Sequence, residues 1–184
     1  MDAAVLVIDM QQGLFEGPHA VPDGQALIAR INAVTRQARE AGAPIVFIQH
    51  EAPGTELAHG SPGWQLAHGL HVEEGDLRVP KTTADAFLRT NLQELLEARH
   101  VHRVVACGVH SEFCVDTTVR RALALGYAVT LVADAHGSAG NDALTPQQVV
   151  AHHNLTLAAI SSFGPRVTTV PAGELAMDCG PGPQ

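Results

Sequence analysis

Short apolar runs alternate along this chain with longer segments whose apolar positions recur every three or four residues. The run "AAVLVI" at 3–8 has no polar member, which predicts a strand buried on both faces. From Asp23 onward, Leu27, Ile31, Val34, Ala38 and Ala41 recur at helical spacing, and Gly42 followed by Pro44 predicts the helix end. "IVFIQ" at 45–49 predicts a second strand. Between His50 and Asp76 glycine and proline interrupt any period, which predicts a long loop. Loops of that length without regular structure tend to carry function.

"LRVP" at 77–80 predicts a short third strand. Residues 85–99 predict a helix with Leu88, Leu92, Leu95 and Leu96 on its inner face. "RVVACG" at 103–108 predicts a fourth strand, a helix is expected from Phe113 to Gly126, and "AVTLVAD" at 128–134 predicts a fifth strand. Thr145, Pro146 and Gln148 open the next helix in the manner of a capping box with proline at the first helical position. "RVTTV" at 166–170 predicts the sixth strand. The Pro/Gly-rich tail, 171–184, is expected to lie on a surface or a partner. No repeat and no linker divides the chain, so residues 1–184 are expected to form a single domain.

Strands alternating with helices predict an α/β fold: parallel strands, right-handed crossovers and a helical layer on each face, a three-layer αβα sandwich. Ligands in such folds bind beyond the carboxyl ends of strands, where the strand order reverses. Asp9, Lys81 and Cys114 fall at or just beyond predicted strand ends.

Composition narrows the partners. Lys plus Arg number 11 against 19 Asp plus Glu, a net charge of -8, so no general attraction to nucleic acid or anionic lipid is expected. No stretch is long and apolar enough to cross a bilayer, and the start "MDAAVLVIDMQQG" lacks the basic region of a signal peptide. Three cysteines without metal or disulfide spacing suit free thiols in a reducing cytoplasm.

A free cysteine is most often a small buried apolar residue. Cys114, however, stands at a predicted helix start, where amide groups and the helix dipole favour a thiolate and can hold an oxyanion. Cys107 lies within a strand and Cys179 in the tail, so both read as structural or incidental. Asp9 ends an apolar strand, where a carboxylate either caps a loop or serves as a general base. Lys81 is either a surface lysine or a partner that favours the thiolate. Cys114 to Arg120 fits Cys-x5-Arg, but Val115, Asp116, Thr117, Thr118 and Val119 include no glycine to wrap a phosphate, which argues against a phosphatase. No second aspartate follows Asp9 in an Asp-x-Asp arrangement, and no Gly-x-Gly-x-x-Gly is present. His50, His59, His68 and His71 match no closed zinc pattern. At least one of His152 and His153 is expected to face inward.

Together, "VLVIDMQ", "VPKTTADAFLRTNL" and "VVACGVHSEFCVDTTVRRALALGYAVTLVADA" resemble the isochorismatase-like cysteine hydrolases, over nearly the whole chain and in the expected order. The resemblance implies a six-stranded, mostly parallel sheet in Rossmann-like order. It implies Cys114 as nucleophile, Asp9 as base and Lys81 as third member. It further implies a cis peptide at Val109–His110 and an oxyanion hole from the amides of His110 and Cys114. Nicotinamidases of this superfamily bind metal through an Asp-x-His pair after the second strand. Here "QHEAPG" has His50 and Glu51 instead, so neither a metal nor another cofactor is expected. "GSPGWQLAHGL" is similar to a branch that includes streptothricin-hydrolase-like enzymes. Retention of Cys114 implies hydrolysis of a small-molecule amide through a thioester. The alternatives are an isochorismatase-type enol-ether hydrolase, with Asp9 as acid and Cys114 idle, or a non-catalytic binding protein. Phe15, Trp64, Val109 and His110 are the candidate substrate contacts. Asp134 and His136 either edge the site or cap a loop. Relatives usually assemble, so a homodimer or homotetramer is expected.

Overall fold

The computed structural model describes residues 2–17 and 20–177. Six strands form one sheet: β1 (Ala3–Ile8), β2 (Ile45–His50), β3 (Leu77–Lys81), β4 (Arg103–Val109), β5 (Ala128–Gly137) and β6 (Val167–Val170). Their order is β3-β2-β1-β4-β5-β6, and every neighbouring pair is parallel. The expected "mostly parallel" sheet is thus wholly parallel. β1 is buried along its full length because it lies mid-sheet under helices on both sides.

The two faces of β1 divide the core. Ala3, Val5 and Val7 pack with Leu27, Ile31, Val34 and Ala38 of α1 (Gly24–Glu40). Ala4, Leu6 and Ile8 pack on the other side, with Leu92 and Leu96 of α2 (Leu92–Glu97). The same face buries Val119 and Leu123 of α3 (Asp116–Ala124) and Leu157 of α4 (Pro146–Ala159). α4 opens with the expected capping box, in which the Thr145 hydroxyl accepts from the Gln148 amide and the Gln148 side chain accepts from the Thr145 amide.

Four expectations are corrected. The helix expected over 85–99 begins only at Leu92, and Leu88 is exposed. The Asp85 carboxylate accepts from the Phe87 amide, and Thr118 of α3 binds both the Ala86 amide and the Ala84 carbonyl. Residues 82–91 therefore follow a path set by side chains. The helix expected from Phe113 is preceded by a π-helical turn, Ser111–Val115, that runs into α3. β5 continues through Gly137, past the expected end at Asp134. The described part of the tail packs on this chain's own core: Ala172, Leu175 and Met177 are buried against the α1 face. Cys179 lies outside the described residues. No helix among them is long and apolar enough to cross a membrane.

The chain builds β1 to β3 toward one edge, then crosses to β4 on the other side of β1. The strand order reverses between β1 and β4, and the carboxyl ends of these strands meet there. Gly108 makes that meeting possible. It pairs with Ile8 at φ 122°, and a Cβ at this position would stand 2.0 Å from the Ile8 carbonyl oxygen.

Candidate active site

Three strand ends bring Asp9, Lys81 and Cys114 together. Asp9 leaves β1 in the left-handed region, φ 50°, with its amide still bonded to the Ile48 carbonyl. Its side chain is buried, and Oδ2 accepts a 2.7 Å hydrogen bond from Lys81 Nζ. Oδ1 is also buried and has no hydrogen-bond partner. Lys81, the last residue of β3, is only 2% exposed. A lysine so buried needs compensation for lost hydration. Nζ finds it in Asp9, in the Thr83 carbonyl at 3.0 Å, in His50 Nδ1 at 3.0 Å and in Cys114 Sγ at 3.2 Å.

Cys114 is half-buried on the π turn, four residues beyond a cis peptide at Val109–His110. Its thiol is pushed up to about 12, first by burial and then by the Asp9 carboxylate, which together outweigh the Lys81 charge. This runs against the expectation that the helix start and Lys81 favour a thiolate: burial and the Asp9 carboxylate favour the neutral thiol. Cys107 is wholly buried in β4 and is likewise raised to about 12, by burial alone, as suits a core thiol.

The turn is fastened from behind. Ser111 Oγ lies 2.7 Å from His136 Nδ1, and His136 Nε2 lies 3.0 Å from Asn154 Oδ1. Asn154 donates its amide N–H to the Ala133 carbonyl, so Oδ1 faces His136 and accepts from Nε2–H. The single Ser111 hydroxyl proton has two acceptors in reach, Nδ1 and the Gly137 carbonyl at 3.0 Å. Burial lowers the His136 pKa, consistent with a neutral ring. His136 therefore anchors the turn. Asp134 accepts from the Ala172 amide and holds the tail. Both line a separate cleft of about 380 Å³. His153 is the inward-facing member of its pair, with Nδ1 donating to the Val149 carbonyl, while His152 is exposed.

A cleft of about 820 Å³ adjoins the π turn, walled by Leu14, Glu16, Ser61, His110, Glu112 and Phe113. Burial lowers the His110 pKa, so its ring enters this wall neutral. Val109 is buried at the end of β4. Trp64 stands beside the cleft residues 61–63, its ring tilted against His59 at 4.6 Å. Phe15 instead packs over Gly24 at the start of α1, and its neighbour Leu14 reaches the cleft.

Two residues at the centre carried no assigned role in the sequence. Gln11 is fully buried, and its side chain clamps the backbone of His50: Oε1 accepts from the His50 amide and Nε2 donates to the His50 carbonyl. His50 is paired with Lys81 in the β2–β3 register. Asp9, His50 and Cys114 bring oxygen, nitrogen and sulfur within 4.8 Å of one another, a donor set that would suit zinc. The Lys81 ammonium already contacts all three. A metal would have to displace a buried, hydrogen-bonded cation, so these residues do not fit one while Lys81 is in place.

Comparison with known proteins agrees with this architecture. Residues 3–169 match the family model described as the isochorismatase domain. A streptothricin hydrolase of Streptomyces noursei is 42% identical over 138 residues, covering 73% of this chain and 49% of the relative. The chain thus spans about half the length of that relative. A secreted isochorismatase effector, Isc1, of Verticillium dahliae is 30% identical over 177 residues, covering 91% of this chain and 88% of the relative. The crystal structure of an isochorismatase family protein superimposes with a TM-score of 0.83 at 36% identity, covering 92% and 98% of the two chains. The family match spans all six strands, from the residue that opens β1 to the penultimate residue of β6, and encloses Asp9, Lys81 and Cys114: the chain belongs to the isochorismatase family.

Proposed function

We propose that the protein hydrolyses a non-peptide amide bond in a small molecule, with Cys114 as nucleophile, Asp9 as general base and acid, and Lys81 as the cation between them. The contact that carries this reading is the buried Lys81 ammonium, 2.7 Å from Asp9 Oδ2 and 3.2 Å from Cys114 Sγ. The resting thiol needs a base at the moment of attack, and Asp9 Oδ1 is a buried oxygen with no competing donor.

In the proposed cycle, Asp9 takes the Cys114 proton as sulfur attacks the carbonyl carbon. The amides of His110 and Cys114 receive the developing oxyanion. The C–N bond breaks, and Asp9 passes its proton to the departing nitrogen, leaving a thioester on Cys114. Water then attacks that thioester as Asp9 removes its proton, and the acid leaves as the thiol is restored. The cleft beside the turn, with His110 and Phe113 in its walls, supports a small substrate. Streptothricin hydrolase among the relatives supports hydrolysis of a small molecule, and the ureidoacrylate amidohydrolases among them support an amide.

The test is mass spectrometry and turnover with a panel of small amides and ureides. An acyl adduct on Cys114 is expected, absent in Cys114→Ala. Asp9→Asn is expected to lose about 10²–10⁴-fold in turnover, the usual range for a general base. Turnover that survives Cys114→Ala would overturn the nucleophile assignment and favour enol-ether hydrolysis. An unreactive thiol, with no turnover of any amide, ester or enol ether, would favour a binding protein.

A further inference from the structure

Lys81 Nζ has more acceptors in reach than protons to give. An ammonium group carries three N–H bonds and no lone pair. Around it stand Asp9 Oδ2 at 2.7 Å, the Thr83 carbonyl at 3.0 Å, His50 Nδ1 at 3.0 Å and Cys114 Sγ at 3.2 Å. These acceptors are unequal. The carboxylate bond is charge-assisted, the carbonyl and the imidazole nitrogen are good neutral acceptors, and a thiol sulfur is a weak one. With Cys114 protonated, the three N–H bonds go to Asp9, Thr83 and His50. A thiolate reverses the order of the last two, because a charged sulfur outbids a neutral imidazole for the same donor.

We propose that His50 is a positioning residue that holds one N–H bond of Lys81 away from Cys114 until the sulfur becomes charged. The inference rests on Asp9, Lys81 and Cys114 being the reacting group. It gives His50 a task in the same cycle: it occupies the third ammonium proton at rest and releases it to the thiolate as Asp9 takes the thiol proton. No covalent bond to His50 is made or broken.

The backbone around His50 is built for this. The β2–β3 register sets it beside Lys81, and the Gln11 side chain grips its amide and carbonyl together. Facing an ammonium, Nδ1 must present its lone pair, so the ring proton sits on Nε2. Burial, then the Lys81 charge, lowers the His50 pKa, opposed by the Asp9 charge and the Thr83 carbonyl. Three titratable groups face the ring, Asp9 from the end of β1, Lys81 from the end of β3 and Cys114 from the π turn, beside the Thr83 carbonyl. Glu51, the next residue, is engaged with His59 at 2.7 Å.

Iodoacetamide alkylation of Cys114, followed across pH by peptide-resolved mass spectrometry, reads the thiol without requiring a known substrate. The proteins compared are wild type, His50→Leu, His50→Asn, Lys81→Met and Asp9→Asn. Leucine removes the acceptor, whereas asparagine restores a non-titrating oxygen near the Nδ1 position. His50→Leu is expected to lower the alkylation midpoint by about one pH unit, or about tenfold faster alkylation below it. His50→Asn is expected to stay near wild type. An unchanged midpoint in the leucine variant, or equal shifts in both variants, overturns the inference. If His50→Leu does not fold, nitrogen NMR of wild-type imidazoles at neutral pH decides, with His50→Asn identifying the signal. A bare Nδ1 with Nε2–H is expected; an Nδ1–H tautomer or an imidazolium overturns the proposal. Lys81→Met should raise the midpoint and Asp9→Asn should lower it. If neither moves, the reacting-group reading fails and this inference with it. If both move and the His50 variants do not, only the role of His50 falls.

Discussion

Asp9 acts on Cys114 in two opposed ways. Its carboxylate raises the thiol pKa at rest, yet in the proposed cycle it is the group that takes the thiol proton. The two effects separate in one variant. Asp9→Asn removes the charge that discourages ionisation, so Cys114 should alkylate with a lower pH midpoint than in wild type, while amide turnover falls. A raised midpoint would contradict the pKa argument. Asp9 and Lys81 were legible as candidates because a polar residue at the end of an apolar strand stands out in the chain itself, and Cys114 because it stands where a strand gives way to a helix. His50 sits at such an end too, but its partner is decided by a register shared with β3, which no local pattern displays. Gln11 was hidden for a related reason: its value lies in a clamp on a residue 39 positions away.

Residues 82–91, between β3 and α2, illustrate the same limit for elements. The leucine spacing over 85–99 does satisfy a helix, and the last part forms one. The first part is claimed by Thr118, which is 1% exposed and bonds Ala86 and Ala84 from α3. The segment that results presents the Thr83 carbonyl to Lys81. Thr118→Val keeps the shape and removes the hydroxyl, leaving the Ala86 amide and the Ala84 carbonyl without that partner. It is expected to cost about 1–3 kcal/mol in chemical denaturation. It should also speed hydrogen exchange at the Ala86 amide. Unchanged exchange there would show that α3 does not hold this segment. The π turn was equally unreadable, because it is tied to distant elements through Ser111, His136 and Asn154, 25 and 18 residues apart in sequence.

For the whole molecule, three histidines, His50, His110 and His136, have pKa values lowered chiefly by burial. Unfolding returns each toward about 6.5, so below that pH the unfolded chain binds more protons than the native one. The histidine contribution to stability is therefore full above about pH 6.5 and declines as pH falls below it, with His136 contributing up to about 1.4 kcal/mol per pH unit. Relief of repulsion among surface carboxylates opposes the trend, but physiological salt screens it far more than it screens a buried ring. The urea midpoint should fall between pH 7.5 and 5.5, and fall less in His136→Gln, which keeps a donor and an acceptor without titrating. A midpoint that stays level across that range would argue against a neutral buried His136.

The α/β class, the buried central strand, the helix caps and the three candidate reacting residues follow from periodicity and composition, because burial on a regular element leaves a regular trace. A strand buried on both faces must be apolar at every position, and a polar residue at its end is conspicuous for that reason. The state of the thiol, the acceptor contest at Lys81, the anchoring of the π turn and the path of residues 82–91 follow from the tertiary structure alone. Each depends on which groups a fold sets within hydrogen-bonding distance and how much water it removes from them, and neither quantity has a period along the chain.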